Sequence, residues 1–323
     1  MASIGLDHIY MDYRKTENRT KAFLKWYAWS LHYKDCDPPI WLLNYLFNRY
    51  EHNLEQKLWI AWIYGTTYHL PTAWIIWNEF PDFELVGLER LKEWNNENYK
   101  RLRYQTDTKY NKGYLPQQFE SYKEWIGNKP QIDKFAELKT FDKVWNSVTK
   151  NLYKFGRYST WFYLQTLHEC VGLDLIPNTL KLDDFGGSKS HRNGLCYALG
   201  LDSWIDKKLD KTQTEHLETK ARQIQNTIRT KYKLSSNPYT METALCSFKK
   251  IFRKKQGRYL GYYLDRQAQE ISQVQDDGWY GIEWGVFWQA RTETLHPTLY
   301  SNIHIKPELY SQFLDTGNFN RQL

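Results

Sequence analysis

Hydrophobic positions along this chain recur at the three- and four-residue steps of amphipathic helices. In residues 20–33, Phe23, Tyr27 and Leu31 form one such apolar stripe. Residues 53–70 are almost wholly apolar in their middle, which predicts a central buried helix. No alternating run of Val, Ile and Thr is long enough to predict a strand, so the expected fold class is all-α.

A polar, irregular stretch from about residue 95 to residue 115 interrupts this helical spacing. Such a stretch is typical of a long loop or a boundary between lobes. We therefore expect a single helical unit over residues 1–323, which can be divided into two lobes. A helical lobe over 1–94 would precede the polar loop over 95–115, and a second helical lobe would follow over 116–323.

The composition adds an unusual number of aromatic rings. Fifteen Trp and twenty-five Tyr accompany only 17 Gly and 10 Pro, which predicts long elements and more amphipathic rings than a core needs. Some of these rings are therefore expected to face a ligand. The formal charge of +7 has the sign expected of a protein that approaches phosphate groups.

The spacing of the four cysteines excludes the usual cysteine-rich classes of protein. Because no C-x-x-C pair occurs, we predict no metal site, no iron–sulfur cluster, no disulfide framework and no cofactor. The N-terminal residues lack the apolar core of a signal peptide, and no apolar stretch approaches the roughly 20 residues of a membrane span. We expect a soluble protein of the cytoplasm without a membrane partner.

The sequence DFGGSKSHRNGL, residues 184–195, places three basic side chains ahead of a short apolar run. One interpretation is a glycine-rich loop in which Ser190 caps a helix and the basic side chains lie in solvent. The other is an anion site, in which the glycine backbone approaches a phosphate while His191 and Arg192 supply charge. It is not a P-loop, because no Gly-Lys-Ser/Thr end follows a strand.

A second basic helix start occurs at Gly156, Arg157 and Tyr158. A cation at a helix N-terminus opposes the helix dipole, so the two helix starts are predicted to converge on one anion. The alternative is an ion pair between Arg157 and a carboxylate, with Asp183 or Asp184 as its partner.

Residues 249–263 combine six basic residues with three tyrosines. Charge that follows a phosphate backbone beside rings that stack on bases suits a nucleic acid. Because Gly257 interrupts the helix, we interpret the run as a patch rather than a helical stripe; the alternative is a solvated charged face. The predicted DNA-binding residues are Lys249, Lys250, Arg253 and Lys254.

Tyr262 and Arg266 lie one helical turn apart, and Asp265 neighbours both. Such a set can bind the amine and the carboxylate of an amino acid together. Ordinary ion pairs with a neighbouring helix would explain Asp265 and Arg266 equally well.

Four segments in order, spread over roughly residues 25–275, resemble the alpha-glutamyl/putrescinyl thymine pyrophosphorylases. These bacteriophage enzymes of DNA hypermodification are also called amino acid:DNA transferases. The segments are residues 53–82, 155–167, 190–195 and 241–271.

The resemblance implies an all-helical enzyme related to helical DNA glycosylases, and we expect it to be a monomer. Its substrates would be double-stranded DNA that carries pyrophosphoryloxymethyl uracil, and a free amino acid or polyamine. The amine would displace pyrophosphate from the exocyclic methylene of the base. An extruded base stacked on an aromatic ring is favoured.

Within this family pattern we assign roles to individual residues. Donors that stabilise the departing pyrophosphate are predicted at Arg157, Lys189, Ser190, Arg192 and Asn193. The amine needs a base, for which the candidates are His191, Asp184 and Asp265. The base and the amine are predicted to contact Tyr68, Tyr158, Tyr262 and Arg266.

Two other functions remain open from the sequence. One is a DNA glycosylase or lyase that acts on modified thymine, and the other is a DNA-binding protein without activity. The chain lacks a clear hairpin of the hhGhG type that helical glycosylases use on DNA. Arg266 favours an amino acid over a polyamine as the amine.

Overall fold

The computed structural model describes residues 11–319 and confirms the all-α prediction. Those residues form sixteen α-helices and no strand. By the density of contacts the chain divides into two compact units. The first consists of the described parts of Met1–Pro38, Pro177–Gln269 and Leu295–Leu323, and the second of Pro39–Ile176 and Glu270–Thr294. The prediction about the signal peptide falls largely on residues 1–10, outside the described range.

The first unit is built from helices of all three of its chain segments. They are α1 (Arg19–His32), α10 (Lys189–Leu199), α11 (Lys211–Lys231), α12 (Pro238–Phe248), the first part of α13 (Tyr262–Asp276), α15 (Pro297–Tyr300) and α16 (Gln312–Thr316). Short 3-10 helices lie at Thr16–Asn18, Asp202–Trp204, Lys249–Phe252 and Pro307–Leu309.

Helices α1, α10 and α12 enclose the core of this unit. Trp26 and Phe23 pack their rings on Phe248, at centroid distances of 6.1 and 5.2 Å. The polar edge of Trp26 is satisfied within the core, because its indole N–H donates to Ser247 at 2.9 Å. The predicted apolar stripe of α1 is thus the face that packs on α12.

The second unit contains the remaining helices. They are α2 (Pro38–Arg49), which starts at the boundary, α3 (Leu54–Thr67), α4 (Leu70–Glu79), α5 (Leu88–Asn98), α6 (Leu115–Ile126), α7 (Gln131–Leu138), α8 (Phe141–Asn151), α9 (Arg157–Thr166) and α14 (Trp284–Thr294). A π-helical segment, Leu167–Val171, continues α9, and 3-10 helices lie at Phe83–Leu85 and Thr106–Tyr114.

Helix α3 is the buried centre of the second unit, as predicted. Every residue from Leu58 to Thr67 is buried, and the rings of Trp59 and Trp62 stack at 5.1 Å. Gly65 lets α9 approach closely, because a Cβ at this position would lie 2.8 Å from the Cβ of Tyr163.

The polar stretch 95–115 belongs to the second unit and is partly helical. It includes the end of α5 and the 3-10 helix Thr106–Tyr114, and the Gln105 N–H donates to the Thr67 carbonyl at 3.1 Å. The division into lobes at this stretch stays a prediction. No helix within residues 11–319 has both the length and the apolar character that crossing a membrane requires.

Candidate active site

The motif 184–195 leads into α10, which crosses α12 at very short distance. A Cβ on Gly194 would lie 2.2 Å from the carbonyl oxygen of Leu245, so only glycine permits this crossing. Helix α10 starts at Lys189 with Ser188 at the N-cap, and Ser190 therefore lies inside the first turn. The interpretation in which Ser190 is the cap is wrong. His191 and Arg192, which that interpretation places in solvent, are each only 1% exposed.

Beside the crossing, a cluster of buried and half-buried side chains joins the two helices. The imidazole Nδ1 of His191 lies 3.2 Å from Oε1 of Glu242, and the Cys246 thiol lies 3.2 Å from the same oxygen. The other ring nitrogen, Nε2, lies 3.2 Å from the Leu180 carbonyl oxygen. Because a carbonyl oxygen only accepts, Nε2 carries the hydrogen of this bond. Burial raises the pKa of the Cys246 thiol.

Arg192 holds a buried positive charge. Its Nη1 donates to the Phe185 carbonyl and to the Ser188 hydroxyl, both at 2.8 Å, and its guanidinium lies 4.4 Å from the centroid of the Phe185 ring. Nε and Nη2 are buried and have no hydrogen-bond partner in residues 11–319. Burial lowers the pKa of Arg192, but a guanidinium keeps its charge at neutral pH. The guanidinium thus presents an unused pair of donors.

Other predicted phosphate ligands on α10 hold a neighbouring loop. Lys189 Nζ and Asn193 Nδ2 contact the same Asp206 carboxylate oxygen at 3.0 and 2.9 Å. The bonds to Lys189 and Asn193 lower the pKa of Asp206. Ser190 accepts a hydrogen bond from Lys249 Nζ at 2.8 Å, which links the motif to the basic patch.

A carboxylate that the sequence did not single out fixes the segment before the motif. Glu218 on α11 accepts the backbone N–H groups of Leu180 and Leu182 at 3.0 and 3.1 Å. The hydroxyl of Ser188 donates to the Leu182 carbonyl at 3.3 Å. The sequence predicted no role for four of these residues, because their partners lie far away in the chain. They are Glu218, Glu242, Cys246 and Asp206. The i, i+4 spacing of Glu242 and Cys246 was the one available signal.

The three candidate bases have different surroundings. Both ring nitrogens of His191 are engaged, as described above. Asp265 is fully buried and accepts a hydrogen bond from the Tyr259 hydroxyl at 2.8 Å. Asp184 is exposed, and its carboxylate accepts the Gly187 N–H at 3.0 Å. Of the three, Asp184 is the one in open contact with solvent.

Tyr262 and the basic patch lie after the end of α12. Tyr262 is buried, with the Arg258 guanidinium 3.7 Å from its ring centroid, and Arg266 follows one turn later on α13. Helix α12 ends at Phe248 and a 3-10 helix follows, so the basic residues form a patch and not a stripe, as expected. Lys249 and Lys250 are half-buried, whereas Arg253 and Lys254 are exposed.

The remaining predicted site residues belong to the second unit. Arg157 is the first residue of α9, and its guanidinium lies 5.6 and 5.2 Å from the ring centroids of Trp145 and Trp161. Tyr68 packs against Tyr158 at 5.3 Å between ring centroids. Since residues 177–269 belong to the first unit, the convergence of the two helix starts stays a prediction, as does the alternative pairing of Arg157.

A family model and a phage relative indicate the same kind of enzyme. The family model described as amino acid:DNA transferase matches residues 19–256. A protein of Salmonella phage ViI named serinyltransferase is 28% identical over 319 residues, which span 90% of this chain and 77% of that protein. No solved structure matches, so the relation to DNA glycosylases stays a prediction. The chain belongs to the amino acid:DNA transferase family and is a transferase of DNA base hypermodification.

Proposed function

We propose that this enzyme joins the amino group of a free amino acid to the exocyclic methylene of pyrophosphoryloxymethyl uracil in double-stranded DNA. A carbon–nitrogen bond forms as the carbon–oxygen bond to pyrophosphate breaks, and the amine loses a proton. The observation that carries this proposal is the unused, buried Nε–Nη2 edge of Arg192.

This edge has the geometry that a phosphate group needs. Nε and Nη2 give two parallel hydrogen bonds, which match two oxygens of one phosphate. A buried positive charge without a carboxylate partner is costly, and an anionic ligand would remove that cost. Donors aimed at a leaving group stabilise the charge that it gains in the transition state.

We infer that the Phe185 ring moves to open this edge to a ligand. The ring covers the guanidinium but is itself 40% exposed. Gly186 and Gly187 follow it, and glycine permits backbone conformations that other residues resist. We infer that an entering pyrophosphoryl group displaces the ring and takes its place beside Arg192.

The other site residues have supporting roles in the proposal. Lys189, Ser190 and Asn193, which share α10 with Arg192, would complete the pyrophosphate site. Arg157, at the start of α9, stays a predicted phosphate ligand. Of the candidate bases we favour Asp184 over His191 and Asp265, because an incoming amine can reach it from solvent. We propose that an extruded base contacts Tyr68 and Tyr158, which pack against each other. Tyr262 stays a predicted base contact.

The proposed amine is serine, since the relative from phage ViI is named a serinyltransferase. Arg266 would bind its carboxylate. The DNA backbone would contact the basic patch at Lys249, Lys250, Arg253 and Lys254. The enzyme would act as a monomer in the cytoplasm, which for a viral protein is that of the host.

The test follows pyrophosphate release and nucleoside mass on DNA that carries pyrophosphoryloxymethyl uracil. We expect pyrophosphate release only when an amino acid is present. The product nucleoside should be heavier than hydroxymethyl deoxyuridine by the mass of one amino acid residue. Arg192→Ala should lower kcat about 10²- to 10³-fold, whereas Arg222→Ala, an exposed arginine on α11, should leave it unchanged. Arg192→Lys should recover only part of the activity, because an ammonium lacks the paired donors.

Three outcomes would contradict the proposal. Abasic sites in the treated DNA would indicate a glycosylase or lyase. Binding without any covalent change would indicate a DNA-binding protein. Full activity of the Arg192→Ala variant would remove this residue from the pyrophosphate site.

A further inference from the structure

His191, Glu242 and Cys246 bring three different metal-binding atoms together at the crossing of α10 and α12. Their ligand atoms all lie within 4.8 Å of one another, and within residues 11–319 they form a group that could hold a metal ion. His191 comes from one helix, whereas Glu242 and Cys246 stand one turn apart on the other. Neither helix alone carries a recognisable metal motif.

The distances suit a small tetrahedral ion. Zinc binds nitrogen and oxygen ligands at about 2.0–2.2 Å and sulfur at about 2.3 Å, so ligand atoms in a tetrahedron lie roughly 3.3–3.7 Å apart. The distances from Glu242 Oε1 to His191 Nδ1 and to Cys246 Sγ are both 3.2 Å. Both distances are therefore within a few tenths of an ångström of the tetrahedral values, and His191 Nδ1 and Cys246 Sγ lie within 4.8 Å of each other.

The outer contacts of the cluster orient His191 as a ligand. Its Nε2 donates to the Leu180 carbonyl, so in the neutral ring Nδ1 presents a lone pair to the Glu242 carboxylate. Two acceptors that face each other require a proton or a cation between them. The Leu180 segment is fixed in turn by Glu218. Metal-binding histidines are usually held by such a bond from the second ring nitrogen.

Charge and donor chemistry select the ion. A divalent cation with one carboxylate, one thiolate and a neutral imidazole has no net charge, which keeps the cost of burial low. Thiolate and imidazole favour zinc over magnesium or calcium, which prefer oxygen ligands. Binding would break the S–H bond of Cys246 and release its proton to solvent.

We propose that His191 Nδ1, a Glu242 carboxylate oxygen and Cys246 Sγ bind one zinc ion that links α10 to α12. Three protein ligands leave a fourth tetrahedral position for water or a substrate oxygen. This site goes beyond the proposed transfer reaction, because it needs neither DNA nor an amino acid to form. It also differs from the sequence prediction that the chain holds no metal.

The test measures metal binding by the full-length chain after chelator treatment and dialysis. We expect one Zn²⁺ per chain with a Kd in the micromolar range or tighter, and release of at least one proton on binding. Co²⁺ in the same site should show the absorption of a tetrahedral ion with a thiolate-to-metal charge-transfer band. The zinc-bound chain should unfold at a higher temperature than the stripped chain.

Variants locate the ion. Cys246→Ala and Glu242→Gln should each weaken zinc binding at least about tenfold, a change that even outer contacts of metal sites can cause. Cys196→Ala is the matched control, since this thiol is buried on α10 outside the cluster and its loss should leave the stoichiometry unchanged. Cys246→Ser, the smallest change, should abolish the charge-transfer band while the circular dichroism of the helices remains.

Two results would overturn the proposal. A wild-type chain that binds neither Zn²⁺ nor Co²⁺ at micromolar concentrations would show that the three side chains share only protons. Unchanged zinc affinity in the Cys246→Ala and Glu242→Gln variants would place any bound metal elsewhere. Both results are independent of transferase activity, which the Arg192 variants test separately.

Discussion

Adjacent residues of the motif 184–195 have very different surroundings. Side chains on a helix turn by about 100° per residue, so His191 points away from Lys189 and Arg192, which lie three residues apart. Lys189 reaches Asp206 at the surface, His191 lies at the crossing with α12, and Arg192 packs under Phe185. The cations that look equivalent in the sequence are thus a surface ion pair, a buried imidazole and a buried guanidinium.

Lys250 is expected to make DNA binding depend on pH. Burial and, next, the charge of Arg258 lower the pKa of Lys250 to about 8. Its ammonium is therefore charged at pH 7 and loses its proton as the pH rises through 8. If Lys250 contacts a phosphate, the slope of log affinity for duplex DNA against log salt should shrink by about one between pH 7 and pH 9.

The guanidinium of a Lys250→Arg variant stays charged over this range and should keep the slope constant. Lys211→Arg, at a lysine whose side chain is 91% exposed, is the control and should behave as the wild type. Equal wild-type slopes at the two pH values would exclude Lys250 from the DNA contact.

At the scale of helices, ends were easier to predict than crossings. Helix α9 begins at Arg157, where the sequence predicted a helix start, and α2 begins at Pro38, a residue that suits a first turn. The α9 region ends at Gly172, with a π-helical segment before it. Such signals act within a few residues. A crossing depends on a second helix that the local pattern cannot identify.

Gly194→Ala is expected to force α10 and α12 apart. The new Cβ would meet the Leu245 carbonyl oxygen, which belongs to a helix backbone and cannot rotate away. Overpacking of this kind typically costs about 1–3 kcal/mol, and the free energy of unfolding should fall by at least that amount. Urea unfolding followed by circular dichroism measures it.

Gly285→Ala in α14 is the matched control. Its added Cβ would meet nothing within 4 Å, and alanine favours a helix by up to about 1 kcal/mol. This variant should be as stable as the wild type or slightly more stable. Equal stability of the Gly194 and Gly285 variants would show that the crossing tolerates a side chain.

At the scale of the whole molecule, distant chain segments form each unit. The core of the first unit contains residues from all three segments, among them Trp26, Phe248, Phe313 and Phe319. The Phe319 ring lies 5.4 Å from that of Trp26, although nearly the whole chain separates them. Contacts of this kind are absent from any local sequence pattern.

Phe313→Ala is expected to destabilise the first unit strongly. The side chain is buried and packs on Phe252 at 5.0 Å between ring centroids. Loss of a buried phenylalanine typically costs about 3–5 kcal/mol, which urea unfolding would reveal. Tyr280→Ala should change the stability by less than about 0.5 kcal/mol, because Tyr280 is 94% exposed. A similar effect of both variants would show that the C-terminal segment is not part of the core.

By itself the sequence determined the all-α class, the buried centre of the second unit around Leu58–Tyr64, several helix starts and the family resemblance. These depend on the spacing of apolar residues and on caps, which act over three or four positions. Only the tertiary structure decided the partners of the site residues: Glu242 and Cys246 beside His191, Asp206 beside Lys189 and Asn193, and Glu218 behind the motif. The physical reason is that buried polar groups must find partners wherever packing places them, and packing joins helices that are far apart in the chain.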